Sequence, residues 1–388
     1  MKVLFFDPYY EGVYGNARYV TDLFNHEEVV GCTFYTCSPE VPAYLENLGK
    51  PERFFQLAYE QDSRLNKLGG ALSRSSSIDK VRAIKNIATY TLRFKDLCRR
   101  ESIDIVHCNS IRAILTVGIG AKLAGCKIVL YIKSNLVGYI YCIFSFILAN
   151  VILFQTETNQ SKSPKTLTTA FKSKFRILKN AIDMKRIDKL LDSGMSSINQ
   201  NLKKKENNLI YIGSIVERKG LRFLINALKK AKQNNLDFKL YLLGDEKMDK
   251  VHTLELKELI KLNRLENNIV FLGHKEEPLD FLKDMDCFIL PSLDEGVPKS
   301  VIESICIGVP VIATNVGGTS EIINNSITGL IVEPGSEAEL YVAINEFLEN
   351  KIKFIESASA ASPAARKEFS FLSHCNGLSS IYKSLNSK

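Results

Sequence analysis

At 388 residues, of which 45% are apolar and 24% charged, the chain is long enough for two ordinary domains and lacks the composition of a disordered protein. Its nine cysteines include no Cys-x-x-Cys pair and no spacing typical of metal ligands, and several stand in apolar runs, as buried free thiols do. The opening MKVLFFDPYY lacks the long apolar stretch and cleavage site of a signal peptide, so we expect a cytoplasmic protein in a reducing compartment.

Short β-branched runs without polar alternation predict four buried strands in the first half: VLFFD (3–7), DIVHC (104–108), KIVLYI (127–132) and NVILFQ (150–155). Helical patterns are predicted at about 15–25, 79–101, 111–124 and 136–148. Buried strands that are joined by helices predict a parallel sheet covered on both faces.

The stretch from Ser134 to Thr156 contains no charged residue and by its length alone is a candidate membrane span. Asn150 divides it, however, and the VILFQ that follows fits the alternation of helices and strands. Three interpretations stay open: a membrane span, a buried helix followed by a strand, and a helix that dips into a bilayer surface. The second agrees best with the surrounding pattern.

Residues 193–208, SGMSSINQNLKKKENN, are polar almost throughout and form the best linker candidate. The alternation then restarts, with strands predicted at 209–213, 238–244, 268–273, 287–291 and 309–314 and helices at 219–233, near 252–263 and from about 298. We therefore expect an α/β protein of two doubly wound domains, 1–190 and 209–371, with a linker at 191–208. The default ligand site is a cleft between them, beyond the carboxyl ends of the strands.

The net charge of +8 is concentrated in the first half, where residues 1–180 hold 24 Lys and Arg against 15 Asp and Glu. Ten basic and two acidic residues lie in 64–100 alone. This cluster is either a solvated helix face or a surface that attracts anionic lipid or a phosphorylated acceptor. No RNA-binding motif or zinc-finger spacing accompanies it, so we expect no nucleic-acid partner.

Two glutamates stand in the most informative segment, PSLDEGVPKSVIESICIGVPVIAT (291–314). Glu295 follows a predicted strand, Pro298 suits the first turn of the next helix, and Glu303 lies about one and a half turns inside it. The N–H groups of a helix start bind phosphate and carboxylates accept hydrogen bonds from hydroxyls, so the pair suits a sugar diphosphate. A solvated helix face often carries the same pair, so two glutamates alone are weak evidence.

A basic pair, Arg218 and Lys219, stands in YIGSIVERKG (211–220), where a predicted strand ends at Gly213. Cations at this place neutralise a departing diphosphate, which matters most where no Mg²⁺ does so. The plainer interpretation is a surface pair at a helix start. There is no Walker A sequence, while Tyr14-Gly15-Asn16 after the first strand lets the backbone approach a ligand closely.

Together these segments resemble the retaining glycosyltransferases of family four (glycosyl transferases group 1), whose GT-B fold has two Rossmann-like domains facing across a cleft. The resemblance is strong over 205–335, through EGVPKSVIE (295–303), GVPVIATNVGGTSEII (308–323), YIGSIVERKG, LYLLGD (240–245) and IVFLGH (269–274). It is loose over 1–190, through DIVHCNS (104–110) and KNAID (179–183). The end of the chain, 372–388, is similar to the family's last helix, which crosses back to the first domain.

Carried over residue by residue, the resemblance implies that Glu303 binds the nucleotide ribose and that Glu295 contacts the donor sugar. Arg218 and Lys219 would hold the diphosphate, and Gly15 would approach it from the first domain. The further donor-binding positions are Gly213, Ser214, Gly296, Val297, Pro298 and Lys299, and the positions on the side of the acceptor or donor sugar are His107 and Lys133.

Three positions depart from the family pattern. The Arg that usually follows the glycine of the first motif is Ser214 here, and Arg218 is the candidate to replace its charge. The usual His-Gly pair is Lys133-Ser134, and Tyr14 replaces the first of two glycines. These changes bear on the choice of donor more than on donor binding.

The resemblance implies a retaining hexosyl- or N-acetylhexosaminyltransferase that takes a nucleotide-diphosphate sugar, UDP rather than GDP, and needs no cofactor. In such enzymes the leaving diphosphate helps deprotonate the acceptor. We also expect no metal, because we expect no loop to carry an Asp-x-Asp pair that is capable of holding Mg²⁺–diphosphate. The expected acceptor is a lipid-linked saccharide of bacterial capsule, O-antigen or exopolysaccharide synthesis, met by peripheral contact with the anionic inner face of the plasma membrane. The alternatives are a catalytically silent nucleotide-sugar-binding or scaffold subunit and a GT-B-fold epimerase or phosphorylase.

Overall fold

The computed structural model describes residues 1–6, 15–42, 45–58, 77–133, 138–192 and 207–386, with the backbone alone at 15–18 and 77–85. The chain divides into two compact units, Met1–Lys179 with Phe371–Lys388, and Asn180–Ser370. Each unit has a parallel sheet with helices, so the expected fold class is confirmed.

The first unit is built on seven described strands: β1 (Lys2–Phe6), β2 (Thr33–Ser38), β3 (Phe54–Gln56), β4 (Ile105–Cys108), β5 (Lys127–Ile132), β6 (Val151–Phe154) and β7 (Phe175–Ile177). Its described helices are α1 (Gly15–Phe24), α2 (Glu27–Val30), α3 (Ser77–Arg100), α4 (Ile111–Ala124), α5 (Tyr139–Leu148), α6 (Glu157–Ser161), α7 (Lys165–Ala170) and, from the end of the chain, α16 (Phe371–Asn386). The sheet order is β3-β2-β1-β4-β5-β6-β7, which is doubly wound about β1 and β4.

The last helix, α16, packs in the first unit, as the resemblance implied. The Ser379 hydroxyl donates to the Val30 carbonyl at 2.8 Å, and the Tyr19 hydroxyl lies 2.8 Å from Nε2 of His374. Both α1 and α2 contact this helix. The C-terminal helix α16 therefore covers this side of the first unit and buries it.

His107 lies under α16, in the core of the first unit. Its exposed fraction is 0%, its Nδ1 lies 2.7 Å from the Tyr382 hydroxyl, and its ring lies 4.8 Å from that of Phe5. This corrects the expectation that His107 faces a sugar, because α16 covers β4 at this point. Burial, and then the charges of Lys133 and His374, hold the pKa of His107 well below its usual range.

The depressed pKa of His107 predicts acid sensitivity of the first unit. Below about pH 6.5 the unfolded imidazole gains a proton that the buried ring does not accept, so acid favours the unfolded chain. The free energy of unfolding should fall by up to about 1.4 kcal/mol per pH unit until the folded pKa is reached. Urea unfolding across this range measures the slope, which His107→Gln should flatten and His274→Gln, at an exposed position, should leave unchanged. Equal slopes in the wild type and His107→Gln would contradict this account.

The second unit has six described strands: β8 (Asn208–Ile212), β9 (Lys239–Leu243), β10 (Ile269–Gly273), β11 (Cys287–Leu290), β12 (Val311–Thr314) and β13 (Gly329–Val332). Its described helices are α8 (Met184–Asp192), α9 (Leu221–Gln233), α10 (Lys250–Leu262), α11 (Leu279–Leu282), α12 (Lys299–Ile307), α13 (Thr319–Ile322), α14 (Glu337–Glu349) and α15 (Lys351–Glu368). The sheet order is β10-β9-β8-β11-β12-β13.

The boundary between the units lies earlier than the expected end of the first domain at residue 190. Residues 180–190 belong to the second unit, because Ile187 and Leu190 of α8 are buried in its core and the Ile182 N–H donates to the Phe369 carbonyl at 3.0 Å. Most of the expected linker, 193–206, lies outside the described residues.

Within the uncharged stretch 134–156 a helix, α5, is followed by the strand β6, as in the second interpretation, but one side of α5 is exposed, so the helix is only partly buried. Among the described residues, no helix combines the length and the apolar character needed to cross a membrane. All nine cysteines are buried free thiols, as expected. Of the basic cluster at 64–100, residues 64–76 lie outside the described residues, whereas Arg93 and Arg99 donate to the carbonyls of Ala58 and Leu123.

Candidate active site

Two neighbouring strands of the second sheet lead into the loops that carry the predicted site. β8 and β11 pair in parallel, with Leu209 opposite Cys287, and the chain winds outward from them in both directions. In open α/β sheets, ligands bind beyond the carboxyl ends of the strands at such a switch point. The loop from Gly213 to Gly220 follows β8, and the loop from Pro291 to Pro298 follows β11.

An ion pair joins these two loops. Lys219 Nζ lies 2.5 Å from Oε1 of Glu295, and the two side chains are only 12% and 10% exposed. The Arg218 guanidinium, which is 56% exposed, lies 3.9 Å from Oε2 of the same carboxylate. The structure therefore brings together the three residues predicted to be catalytic.

Two further residues, which were not predicted from the sequence, fix Glu295. The Ser292 hydroxyl donates to Oε1 of Glu295 at 2.8 Å, and the Thr314 hydroxyl donates to the Ser292 carbonyl at 2.5 Å. Both side chains are buried. Their position was the available signal, since Ser292 follows β11 and Thr314 ends the neighbouring β12.

Tyr211 shapes the turn at the end of β8 from below. Its hydroxyl donates to the Ser214 carbonyl at 2.8 Å. Burial raises the pKa of Tyr211, and the Glu295 charge raises it further while the Arg218 charge opposes this. The hydroxyl therefore stays protonated and acts as a donor. A Cβ at Gly213 would lie 2.7 Å from this hydroxyl, so a larger residue there would have to displace the Tyr211 side chain.

The backbones of the two loops are in direct contact. The Leu293 N–H donates to the Arg218 carbonyl at 2.8 Å. Gly220 has a φ of +67°, and a Cβ there would lie 2.0 Å from the Pro291 carbonyl oxygen. This close approach holds Lys219 opposite Glu295.

The other predicted donor-binding residues lie around the start of α12. The helix begins at Lys299, so Pro298 precedes it instead of lying in its first turn as predicted. The Gly296 carbonyl, beside Val297, accepts from the Gly318 N–H at 2.8 Å. Helix-start N–H groups lack partners within the helix and favour anions.

Glu303 lies one turn inside α12 and is half-buried. Burial, and then the charges of Glu303 and Glu368, raise the pKa of the Cys306 thiol to about 12. Glu303 and Cys306 lie three residues apart on α12. The role of Glu303 toward a ribose stays a prediction.

Two of the predicted site residues, Gly15 and Lys133, belong to the first unit. Gly15 is the first residue of α1, whereas Tyr14 lies outside the described residues. Lys133 follows β5, and its ammonium lies 3.5 Å from the ring centre of Tyr19 and 4.9 Å from that of Tyr131. These are cation–π contacts. The roles of Gly15 and Lys133 toward a ligand stay predictions.

The chain does contain an Asp-x-Asp sequence, Asp284-Met285-Asp286, directly before β11. Oδ2 of Asp286 accepts from the Asn208 N–H at 2.7 Å and pairs with Lys351 Nζ at 2.8 Å. Asp286 therefore lies at the amino end of β11, away from the loop that carries Glu295. Within the part of the chain that the structure describes, no three His, Cys, Asp or Glu side chains are grouped to hold a metal ion.

Comparison with known proteins identifies similar sequences and structures. Residues 196–368 match the sequence model of the family described as glycosyl transferases group 1. An uncharacterized glycosyltransferase of Methanocaldococcus jannaschii is 32% identical over 48% of this chain and 44% of its own length. The Escherichia coli UDP-Gal:alpha-D-GlcNAc-diphosphoundecaprenol alpha-1,3-galactosyltransferase is 23% identical over 71% of this chain and 73% of its own length.

The match covers 44% of the first of these relatives and 48% of a second Methanocaldococcus jannaschii glycosyltransferase. The chain therefore spans less than half the length of both. Among solved structures, Anabaena HepE in complex with UDP is similar with a TM-score of 0.78 and 18% identity over the full length of both chains. Residues 196–368 are therefore similar to the glycosyl transferases group 1 family, and the chain has the GT-B fold.

Proposed function

We propose that the protein is a retaining glycosyltransferase that moves a hexose or N-acetylhexosamine from a UDP-sugar to a lipid-linked saccharide at the cytoplasmic face of a membrane. The observation that carries the proposal is the nearly buried Lys219–Glu295 pair at the carboxyl ends of β8 and β11. Two relatives support the choice of substrates. The Escherichia coli enzyme is named for UDP-Gal and a diphosphoundecaprenol acceptor, and HepE was solved with UDP.

The charges of the site suit a sugar diphosphate. Lys219 and Glu295 neutralise each other in the structure, so a donor that brings phosphate to Lys219 and hydroxyls to Glu295 offers each a new partner. Arg218 lies beside them with its side chain 56% exposed, which leaves it accessible to a second phosphate oxygen. Glu303 is assigned to the ribose hydroxyls.

The proposed reaction breaks the bond between the anomeric carbon and the diphosphate oxygen and forms a bond to the acceptor oxygen on the same face. The acceptor proton passes to the leaving diphosphate. Negative charge grows on that diphosphate, and cations placed beforehand, such as Lys219 and Arg218, stabilise it most in the transition state. No protein nucleophile takes part.

A panel of nucleotide sugars tests the proposal by thermal shift. A ligand at 100 times its Kd stabilises a protein by about 2.7 kcal/mol, so a true donor should raise the melting temperature clearly. Transfer of radiolabelled sugar from that donor to a lipid extract then separates a transferase from a silent binding subunit. Release of free sugar or of an epimer, without transfer, would contradict the proposal.

We expect transfer to continue in excess EDTA. Lys219 and Arg218 converge on one carboxylate and together supply positive charge where a diphosphate would leave. The measurement compares initial rates with and without chelator, and a metal-dependent transferase in the same buffer checks that the chelator works. Loss of transfer in EDTA that Mg²⁺ or Mn²⁺ restores would show that metal independence is wrong.

A further inference from the structure

The outer face of α5 is apolar and exposed. Five of its ten residues are large hydrophobic or aromatic side chains that are each 48% exposed or more: Tyr139, Ile140, Tyr141, Phe144 and Ile147. We call these five residues the α5 face. Ile119 and Leu123 are also exposed on the neighbouring α4, against which α5 packs. An exposed apolar surface of this kind marks an interaction site.

Contacts at both ends hold α5 in place, so this face is presented by a fixed element. The Tyr139 and Thr166 hydroxyls lie 2.8 Å apart at its start. At its end, Lys174 Nζ donates to the carbonyls of Phe146 and Ala149 at 2.9 and 2.7 Å. The opposite side of the helix is buried through Cys142 and Phe146.

The charge of the segment that carries this face is almost entirely positive. Residues 105–179 hold ten Lys and Arg against a single acidic residue, Glu157. Lys122, Lys165 and Lys172 are exposed on α4 and on the segment that follows β6. Lys174 lies beside the end of α5, and burial and the Lys122 charge lower its pKa. A partner that covers this surface must therefore be apolar at its centre and anionic around it.

We propose that the α5 face docks on an anionic lipid bilayer, with its apolar side chains in the interface and the surrounding lysines on the lipid head groups. A bilayer offers acyl chains beside anionic head groups, which is the combination that this surface complements. The proposal deepens the proposed function, on which it rests for an acceptor carried by lipid. It differs from a membrane span, because the helix stays packed against α4.

Vesicle flotation tests the docking without donor or acceptor. The full chain is mixed with vesicles of phosphatidylcholine alone or of equal parts phosphatidylcholine and phosphatidylglycerol. We expect binding to the anionic vesicles, weakened when the salt is raised to about 1 M and the Debye length falls to about 3 Å. Equal binding to both vesicles, or none to either, would overturn the proposal.

Paired variants test which residues are responsible. Ile140→Gln with Phe144→Gln should lower vesicle partitioning by at least about tenfold through lost apolar burial, and Lys165→Gln with Lys172→Gln by about fivefold for each lysine. The apolar control is Val251→Gln with Leu254→Gln on α10, where the two side chains are 70% and 62% exposed and nearby charges are paired as Lys257–Glu246 and Arg222–Glu255. The charge control is Lys229→Gln with Lys261→Gln, at exposed positions of α9 and α10.

The controls should bind vesicles like the wild type, and all variants should keep its melting temperature, since the changed side chains are exposed. Loss of binding in the controls to the same extent would overturn the proposal. So would a wild-type dimer that becomes monomeric in Ile140→Gln with Phe144→Gln while vesicle binding is unchanged, because the face would then join two copies. A thermal shift with UDP-glucose in the same preparations distinguishes the two hypotheses. Flotation without donor binding would support the docking proposal and not the proposed function. Donor binding without flotation would contradict the docking proposal alone.

Discussion

Replacing Lys219 by alanine is expected to lower kcat by about 10²–10³ while changing donor affinity much less. Loss of one preorganised group that stabilises a developing negative charge typically costs this much. The ammonium of Lys219 lies nearly buried between the loops after β8 and β11, and the charge on a leaving diphosphate grows as the reaction proceeds. An interaction that strengthens in the transition state acts on the rate.

The measurement is steady-state kinetics with the donor found by thermal shift, at a temperature where every variant is folded. Folding needs this check because Lys219→Ala leaves the carboxylate of Glu295, which is 10% exposed, without its closest cation. Ser292→Ala removes a neutral donor to the same carboxylate and should cost less. Lys229→Ala, at an exposed position of α9, should have no effect.

Glu303→Ala provides the opposite pattern. If Glu303 holds the ribose, a part of the donor that does not react, its loss should weaken donor binding and leave kcat largely unchanged. Small and equal effects of Lys219→Ala and Glu303→Ala in folded proteins would contradict both assignments. They would favour a solvated helix face for Glu303 and a structural ion pair for Lys219.

The strands that carry this site were predictable because buried parallel strands are continuous apolar runs. LIYIG and CFILP were assigned as strands from that pattern, and β8 and β11 agree within about one residue. β2 was missed because Thr36 and Ser38 break its apolar run, although both are buried in the structure. β3, with three residues, is too short to show a periodicity.

The residues of the site could be predicted from the sequence, but the contacts between them could not. The spacing of Glu295 and the basic pair marked two loops, whereas their meeting depends on β8 and β11 being neighbours, which strand order decides. Ser292 and Thr314 matter for the same reason, since a bond between them requires β11 and β12 to be adjacent. His107 was misplaced because the helix that covers it begins more than 250 residues later, at Phe371.

Gly220→Ala is expected to lower the free energy of unfolding of the second unit by about 3 kcal/mol or more and to reduce transfer. The backbone at Gly220 has a φ of +67°, and a left-handed conformation costs an L-residue about 1–2 kcal/mol. The added Cβ would also lie 2.0 Å from the Pro291 carbonyl oxygen, and relieving such an overlap typically costs a further 1–3 kcal/mol, roughly. The relief must separate the two loops that hold Lys219 and Glu295 together, so stability and donor response should fall together.

Gly273→Ala separates these two causes. Gly273 has nearly the same φ, +71°, but a Cβ there would meet nothing within 4 Å. This variant should therefore show the backbone cost of about 1–2 kcal/mol alone, and its thermal shift with donor and its kcat should match the wild type. Urea unfolding and kinetics on the two variants give the comparison. Equal losses of stability, or a Gly220→Ala protein with wild-type kcat, would mean that the contact between the loops does not position the ion pair. A greater loss of both stability and kcat in Gly220→Ala than in Gly273→Ala would show that the proposed chemistry depends on the contact between the loop after β8 and the Pro291 carbonyl.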